Sequence, residues 1–159
     1  MSCRMWGDRM SASDLTAPNA YQLIQPHSDM LLRAVRTKVL LFNGPAFSNL
    51  KLSLYSVYNS LPAALICNSS NSYAKADVSA HDNACREIFF EFNPPHGREL
   101  VASEIYALVL SASGYSGDET SNLGWKKAWP DPSYALNFTP TMEHINTAPY
   151  DLTLIGAQA

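Results

Sequence analysis

The chain has 159 residues and a formal net charge of -3, a length that suits a single domain burying about 70 % of its unfolded surface. Charged residues make up only 16 % of the sequence and hydrophobic residues 47 %, so surface polarity must come from Ser, Asn, Thr and Tyr. Nucleic-acid binding requires a concentrated basic surface, and no basic stripe occurs along the chain. The composition therefore excludes nucleic acid as a principal ligand.

The N-terminal segment contains basic residues but no apolar stretch of the length that a secretory signal requires. A transmembrane helix would need about 18 or more apolar residues in succession, and no such run occurs. We therefore expect a chain that is neither exported by that route nor bound to a membrane. Cys3, Cys67 and Cys85 lack the spacing of a zinc or redox motif, so free thiols are expected. A disulfide between Cys67 and Cys85 stays open, because sequence alone does not fix its geometry.

The first elements predicted along the chain are a short strand, a helical turn and a longer strand. Residues 21–25 form the strand, which ends at a proline, and Ser28 with its neighbour favours a helical turn over residues 30–32. Residues 34–42 have apolar side chains on both faces, which is typical of a strand in the middle of a sheet. Asn43 and the two residues after it are a turn signal that ends this strand.

The remaining apolar runs have the length of strands and alternate with turn signals. The predicted strands are residues 49–59, 61–67, 87–92, 105–111, 134–138 and 150–155, and residues 123–127 are a short segment that contains Trp125. Alternation with polar residues assigns to the core the side chains of Leu50, Leu52, Leu54, Ile88, Phe90 and Phe92. Three prolines surround the run at 134–138, which restricts it to the edge of a sheet.

About seven or eight short strands without a sustained amphipathic helix predict an all-β fold of two packed antiparallel sheets, a β-sandwich. Residues 34–159 form the predicted sandwich domain. Residues 1 to about 20 show no sustained periodicity of strand or helix, and we interpret residues 1–33 as an extended N-terminal arm.

Several of these strands together resemble a known class of module. The sequences LKLSLYS, LPAALI, IFFEFNPP, EIYALVLSASG, LGW and YDLTLIG, in that order, resemble the jelly-roll sandwiches of bacterial surface proteins and of phage structural proteins. The resemblance covers about residues 34–156 and is built mostly from core positions, so it speaks more to fold than to function. Because the sequence shows no signal peptide, cell-wall or membrane anchor or second domain, the resemblance favours the phage proteins.

The resemblance implies a non-enzymatic accessory protein of the phage virion, assembled in the host cytoplasm. Its expected role is to decorate or cement the capsid, with the major capsid protein or a tail protein as partner. A tail or fibre component is the alternative. Self-association within the particle is also expected, although no residue determines the number of copies.

The predicted arm carries the residues expected to contact a neighbouring subunit. Its apolar side chains would bury surface there, and its arginines would pair with acidic groups. The alternative is that the arm packs against its own sandwich as an additional strand. The residues assigned to partner contact are Arg4, Met5, Trp6, Arg9, Met10, Leu15, Tyr21, Leu23 and Ile24.

Catalytic motifs are missing from the sequence: no GxSxG, P-loop or GxGxxG pattern occurs. Glu87 and Glu91 share one face of a predicted strand but lie about 13 Å apart, beyond the roughly 5 to 9.5 Å of glycosidase carboxylate pairs. The histidines are scattered, without metal-ligand spacing. We therefore expect no enzymatic activity, no cofactor and no metal.

A carbohydrate-binding adhesion module is the competing hypothesis. Trp125, Trp129 and Tyr134 could stack on sugar rings from loops at one end of the sandwich. Nearby acidic residues could supply oxygen ligands to a calcium ion; they are Asp118, Glu119 and Asp131. The alternative assigns Trp125 to the core and the acidic residues to solvated loops.

Overall fold

The computed structural model describes residues 7–10, 15–16, 18–78, 85–92, 99–118, 120–126, 136–139, 142–144 and 152–158. These residues form strands and one short helix, α1, at Lys75–Val78. The strands are β1 Gly7–Met10, β2 Ala20–Pro26, β3 Met30–Phe42, β4 Leu50–Tyr58, β5 Leu61–Asn68, β6 Cys85–Glu91, β7 Glu99–Leu100, β8 Tyr106–Ala112, β9 Asn122–Lys126, β10 Leu136–Thr139, β11 Met142–His144 and β12 Leu152–Gln158. The predicted all-β fold is confirmed.

The strands form two sheets. Sheet B has the order β11-β2-β8-β4-β5, and every pairing in it is antiparallel. Sheet A is organised around β3, with β6 and β7 along one edge and β9 and β12 end to end along the other, since residues 39–40 pair with both β6 and β9. β1 and β10 lie outside β9 and β12, and β10 runs parallel to β12.

One apolar core joins the two sheets. Val35 and Val39 of sheet A belong to the same buried cluster as Leu52 and Leu108 of sheet B. Every side chain that alternation assigned to the core is at most 2 % exposed: Leu50, Leu52, Leu54, Ile88, Phe90 and Phe92. The sequence pattern and the packing therefore agree on which face of each strand is buried.

The core also contains a polar contact within sheet A. The indole Nε1 of Trp125 donates a hydrogen bond of 2.9 Å to Thr37 Oγ1, and both residues are buried. This contact satisfies an indole N–H that would otherwise be costly to bury. Cys67 is buried and its thiol is reduced, so the disulfide with Cys85 that the sequence left open is not formed.

Backbone conformation explains two of the strand ends. Asn59 and Ser60, between β4 and β5, have φ angles of 53° and 62°. Two successive residues at positive φ match the right-handed twist of a two-residue hairpin. Asn43 and Gly44 also have positive φ, and they end β3 where the sequence predicted a turn.

The helical turn predicted over residues 30–32 is wrong, because β3 begins at Met30. Arg33 is an extra residue opposite β12, where the register shifts between Ile155 and Gly156. This β-bulge changes the phase of the alternation: Met30 and Leu32 face inward before it, and odd-numbered residues face inward after it. The alternation of inward- and outward-facing side chains that starts at residue 34 therefore does not extend back through residues 30–32.

The division between an arm at 1–33 and a sandwich at 34–159 is likewise corrected, since that boundary falls inside β3. β2 pairs with β8 in sheet B, and β1 pairs with β9 in sheet A. The carbonyl of Leu15 accepts a hydrogen bond of 3.0 Å from the amide of Ala112. The described part of the first 33 residues therefore belongs to the sandwich of its own chain.

The outer edge of β6 is closed by side chains of the segment that follows β5. The side-chain amide of Asn71 donates to Phe89 O at 2.8 Å and accepts from the amide of Glu91 at 2.7 Å. The hydroxyl of Tyr73 donates to Phe89 O at 2.7 Å and accepts from Phe89 N at 3.0 Å. Tyr73 also exchanges backbone hydrogen bonds with Leu50 of sheet B, so this segment fastens the two sheets together.

Truncating a buried leucine and an exposed one in the same hairpin tests the core assignment. Leu54 is fully buried, whereas Leu65 is 51 % exposed. We expect Leu54→Ala to lower the free energy of unfolding by about 2–5 kcal/mol, and Leu65→Ala to change it by less than about 0.5 kcal/mol. Urea denaturation of dilute protein measures both. Equal losses would contradict the assignment.

The closure of the β6 edge is tested by removing one hydroxyl. Tyr73→Phe deletes both hydrogen bonds to Phe89, and we expect it to reduce stability by about 1 kcal/mol and to accelerate hydrogen exchange at the Phe89 amide. Tyr58→Phe is the matched control, because Tyr58 is 73 % exposed. An unchanged exchange rate at Phe89 would show that the hydroxyl does not protect this edge.

Candidate functional site

The structure divides the predicted partner-contact residues whose side chains it describes between the shared core and the outer side of sheet B. Leu15 and Ile24 are 1 % and 0 % exposed in the shared core, so they are not available to a neighbouring subunit. Arg9 and Met10 lie on β1. Arg4, Met5 and Trp6 lie outside the described residues, and their role in partner contact stays a prediction.

Tyr21 and Leu23 lie on the opposite side of sheet B from the shared core. Leu23 forms a second apolar cluster with Ala107 and Val109 of β8. Tyr21, together with Tyr55 of β4, packs against this cluster while remaining partly exposed. The structure therefore gives these two predicted contact residues a role in packing the outer side of their own sheet.

Of the three aromatic residues proposed to stack on sugar rings, the structure describes Trp125, and it is not accessible to a ligand. Trp125 is 0 % exposed and packs in the core, which agrees with the alternative assignment made from the sequence. A ring without solvent-accessible surface cannot stack on a sugar, so its assignment to a glycan site is wrong. Trp129 and Tyr134 lie outside the described residues.

Asp118 closes a turn of its own chain. Its Oδ1 accepts hydrogen bonds from Thr120 N at 2.8 Å, Thr120 Oγ1 at 2.9 Å and Ser121 N at 2.9 Å. These bonds, led by the one from the Thr120 amide, lower the pKa of the carboxyl group from its ordinary value of 3.8. An aspartate that bonds the backbone two and three residues later is a common turn-forming device. Its contacts in the structure therefore give Asp118 a structural role.

The other proposed calcium ligands, Glu119 and Asp131, fall outside the described stretches. Within the part of the chain that the structure describes, no three His, Cys, Asp or Glu residues are grouped so that they could hold a metal ion. Glu87, considered above as half of a carboxylate pair, lies 3.6 Å from Arg36 in a partly exposed ion pair.

The least covered apolar surface in the described structure lies on the β4–β5 hairpin. Four side chains there, which we call the hairpin patch, remain strongly exposed: Tyr58 (73 %), Leu61 (56 %), Leu65 (51 %) and Ile66 (40 %). Only Cys67 is buried in β5. Tyr58 and Leu61 are cross-strand partners, and Leu65 pairs with Tyr55 further along the hairpin. Large exposed apolar surfaces mark interaction sites in soluble proteins.

The position of β5 explains the exposure of the hairpin patch. β5 is the last strand of sheet B, paired with β4 alone among the described strands. Its register shifts twice, between Leu54 and Tyr55 and between Tyr55 and Val57, so Ile66 is an extra residue opposite β4. Leu65 and Ile66, although consecutive, are therefore both exposed.

The sequence contained a signal for this surface that strand prediction did not use. Residues 52–74 contain no charged side chain, whereas edge strands are commonly protected by lysine and other charges. Arg36 and Glu87, which form an ion pair, lie on sheet A. β5 is thus an edge strand that lies within the longest run of the sequence without a charged residue.

Comparisons with known protein families, with characterised proteins and with solved structures find no match to this chain. In the described stretches, no helix has the length and apolar character needed to cross a membrane.

The role of Asp118 predicts a specific pH dependence. Its pKa is lowered in the folded state, so its contribution to stability is complete above the unfolded-state pKa and is lost as pH falls through the folded-state value. We expect Asp118→Asn, which removes the charge, to lower the melting temperature at pH 7. The difference from the natural protein should begin to shrink as pH falls below about 4, and it should disappear only at pH values below the lowered folded-state pKa.

Thermal unfolding followed by circular dichroism across this pH range measures the effect. Glu104→Gln is the control, because Glu104 is an exposed carboxylate on another turn. A pH-independent loss for Asp118→Asn would mean that the charge is not what stabilises the turn.

Proposed function

We propose that the protein is a non-enzymatic structural component that works inside a larger protein assembly. The observation that supports this proposal most is the hairpin patch, an uncharged apolar surface that the described chain leaves open. The same chain uses Asn71 and Tyr73 to close the edge of β6. β5, by contrast, keeps its apolar side chains exposed, as is typical of a surface that is covered on assembly.

The resemblance of the strand sequences to phage structural modules leads us to propose the phage virion as the assembly. Capsid decoration or cementing is the first candidate, with the major capsid protein as partner. A tail or fibre component is the second, with the same mode of action and a different location in the particle. In both, the contribution of the chain is a rigid sandwich that presents binding surfaces.

The energetics of the hairpin patch suit repeated weak contacts. Burying apolar surface contributes about 25 cal/mol per Å², and each half-exposed side chain of the patch would therefore add on the order of 1 kcal/mol. One such contact holds a subunit weakly. Many identical contacts on a particle surface raise the effective concentration of each subunit and hold the whole layer firmly.

Particle binding tests this function directly. Purified protein is mixed with particles of the parent phage that lack it, and the particles are pelleted. We expect the protein to pellet with them and to reach saturation, because a structural component occupies a fixed number of equivalent sites. Particles that already carry the protein are the control, and they should take up little more.

Protein that stays in the supernatant at every concentration would contradict the proposed function. Uptake that rises without saturation would do so as well, because it would indicate nonspecific adhesion of an apolar surface.

A further inference from the structure

We propose that Asn43 is a modification site, at which the side-chain amide is converted to a carboxylate through a cyclic imide formed with the backbone of Gly44. The rate of this conversion is controlled by three residues that hold Asn43 in place, Asp118, Thr120 and Ser121, which we call the Asp118 turn. The site is independent of the proposed assembly role, because the reaction needs only a single chain.

The reacting groups belong to the one Asn-Gly sequence of the chain. In such a sequence the backbone nitrogen of the second residue can attack the side-chain Cγ of the asparagine, and glycine leaves this approach open because it has no Cβ. Asn43 and Gly44 have φ angles of 57° and 55° in the turn that ends β3, and Asn43 is exposed to solvent. The two groups lie on adjacent residues, so the attack is intramolecular and its entropic cost is low.

The conversion requires water as its co-reactant. The Gly44 nitrogen forms a bond to Asn43 Cγ while the bond from Cγ to Nδ2 breaks, and Nδ2 leaves as ammonia with the proton of the Gly44 amide. Water then opens the five-membered ring at one of its two carbonyl carbons. The product is aspartate at position 43, or isoaspartate, in which the main chain continues through the former side-chain carbon.

The Asp118 turn holds Asn43 by two hydrogen bonds. Asn43 Nδ2 donates to Thr120 O at 2.7 Å, and Asn43 O accepts from Ser121 Oγ at 3.0 Å. Asp118 Oδ1 accepts from the backbone amides of Thr120 and Ser121 and so fixes the position of both. Because Nδ2 is the leaving group, its bond to Thr120 O must break before ammonia departs. The reaction therefore proceeds from the molecules in which this contact is open.

Conversion also changes what Asn43 does in the fold. The amide donor is lost, and a carboxylate oxygen takes its place opposite the carbonyl oxygen of Thr120. The formal net charge changes from -3 to -4, because a neutral amide becomes an anion, and the new charge lies beside the turn that contains Asp118. The end of β3 thereby loses its hydrogen bond to the segment that leads into β9. Because ammonia is released, the change is one-way and accumulates with time.

Timed incubation of the folded full chain at mildly alkaline pH, followed by tryptic mass spectrometry, tests the site. Cleavage after Lys38 and Lys51 gives one peptide that contains both Asn43 and Asn49. Asn49 is the internal control, because it is exposed but is followed by Leu50, whose side chain is buried. We expect isoaspartate to accumulate at Asn43 and to be scarce at Asn49.

Asp118→Ala tests the control by the turn. We expect it to raise the initial rate of conversion at Asn43 by about two- to tenfold, which is the effect of losing one hydrogen bond that holds the closed state. Ser121→Ala, which removes the bond to Asn43 O, is a milder variant with the same expected direction. Glu104→Ala is the matched control, because Glu104 is an exposed carboxylate on another turn. All variants are incubated well below their melting temperatures.

Preferential conversion at Asn43 that is faster in Asp118→Ala and Ser121→Ala and unchanged in Glu104→Ala would support the proposed site. No conversion at Asn43, or equal conversion at Asn43 and Asn49, would overturn it. A rate that neither turn variant raises, or that Glu104→Ala raises equally, would overturn the control by the Asp118 turn. These outcomes leave the proposed assembly role unaffected, since particle binding tests it separately.

Discussion

The sandwich depends on the pairing of β3 along both of its edges. This strand of 13 residues lies between β6 and β7 on one side and β9 and β12 on the other, so strands from most of the chain meet on it. The bulge at Arg33 shifts the alternation of side chains by one residue. As a result, Met30 and Leu32 before it and Val35 and Val39 after it all face the same core. Sheet B then packs on the inner side of β3, with Val35 and Val39 in the shared cluster.

Local sequence patterns predicted most of this architecture, and the features that they predicted wrongly have physical causes. The alternation of Leu50, Leu52 and Leu54 predicted the face of β4, and the isolated, proline-flanked run around Phe138 predicted an edge strand, as β10 is. The arm was misjudged because β2 is short and its pairing with β8, more than 80 residues away at Ile24 and Tyr106, is a long-range contact that periodicity does not report. The buried position of Trp125 depends on its neighbour Thr37, another contact across the sheet.

The proposed interaction surface was harder to predict than the core for a related reason. A run such as Leu61 to Cys67 has the composition of a buried strand, and only the sheet order shows that β5 lies at an edge. The absence of charged residues from β5 is informative only once this edge position is known. The chain thus has two kinds of edge: β6, closed by Asn71 and Tyr73, and β5, where the apolar side chains are exposed. This difference is the structural basis of the assembly role proposed above.

Carbene footprinting of the free chain and of the intact assembly tests the central claim, that the hairpin patch is covered only on assembly, most directly. We expect strong labelling of the hairpin patch in the free chain at low concentration and loss of that labelling in the assembly. Val101 and Ile155, exposed by 48 % and 38 % elsewhere on the sandwich, serve as internal references. Equal labelling of the hairpin patch in both states, relative to these references, would contradict the account.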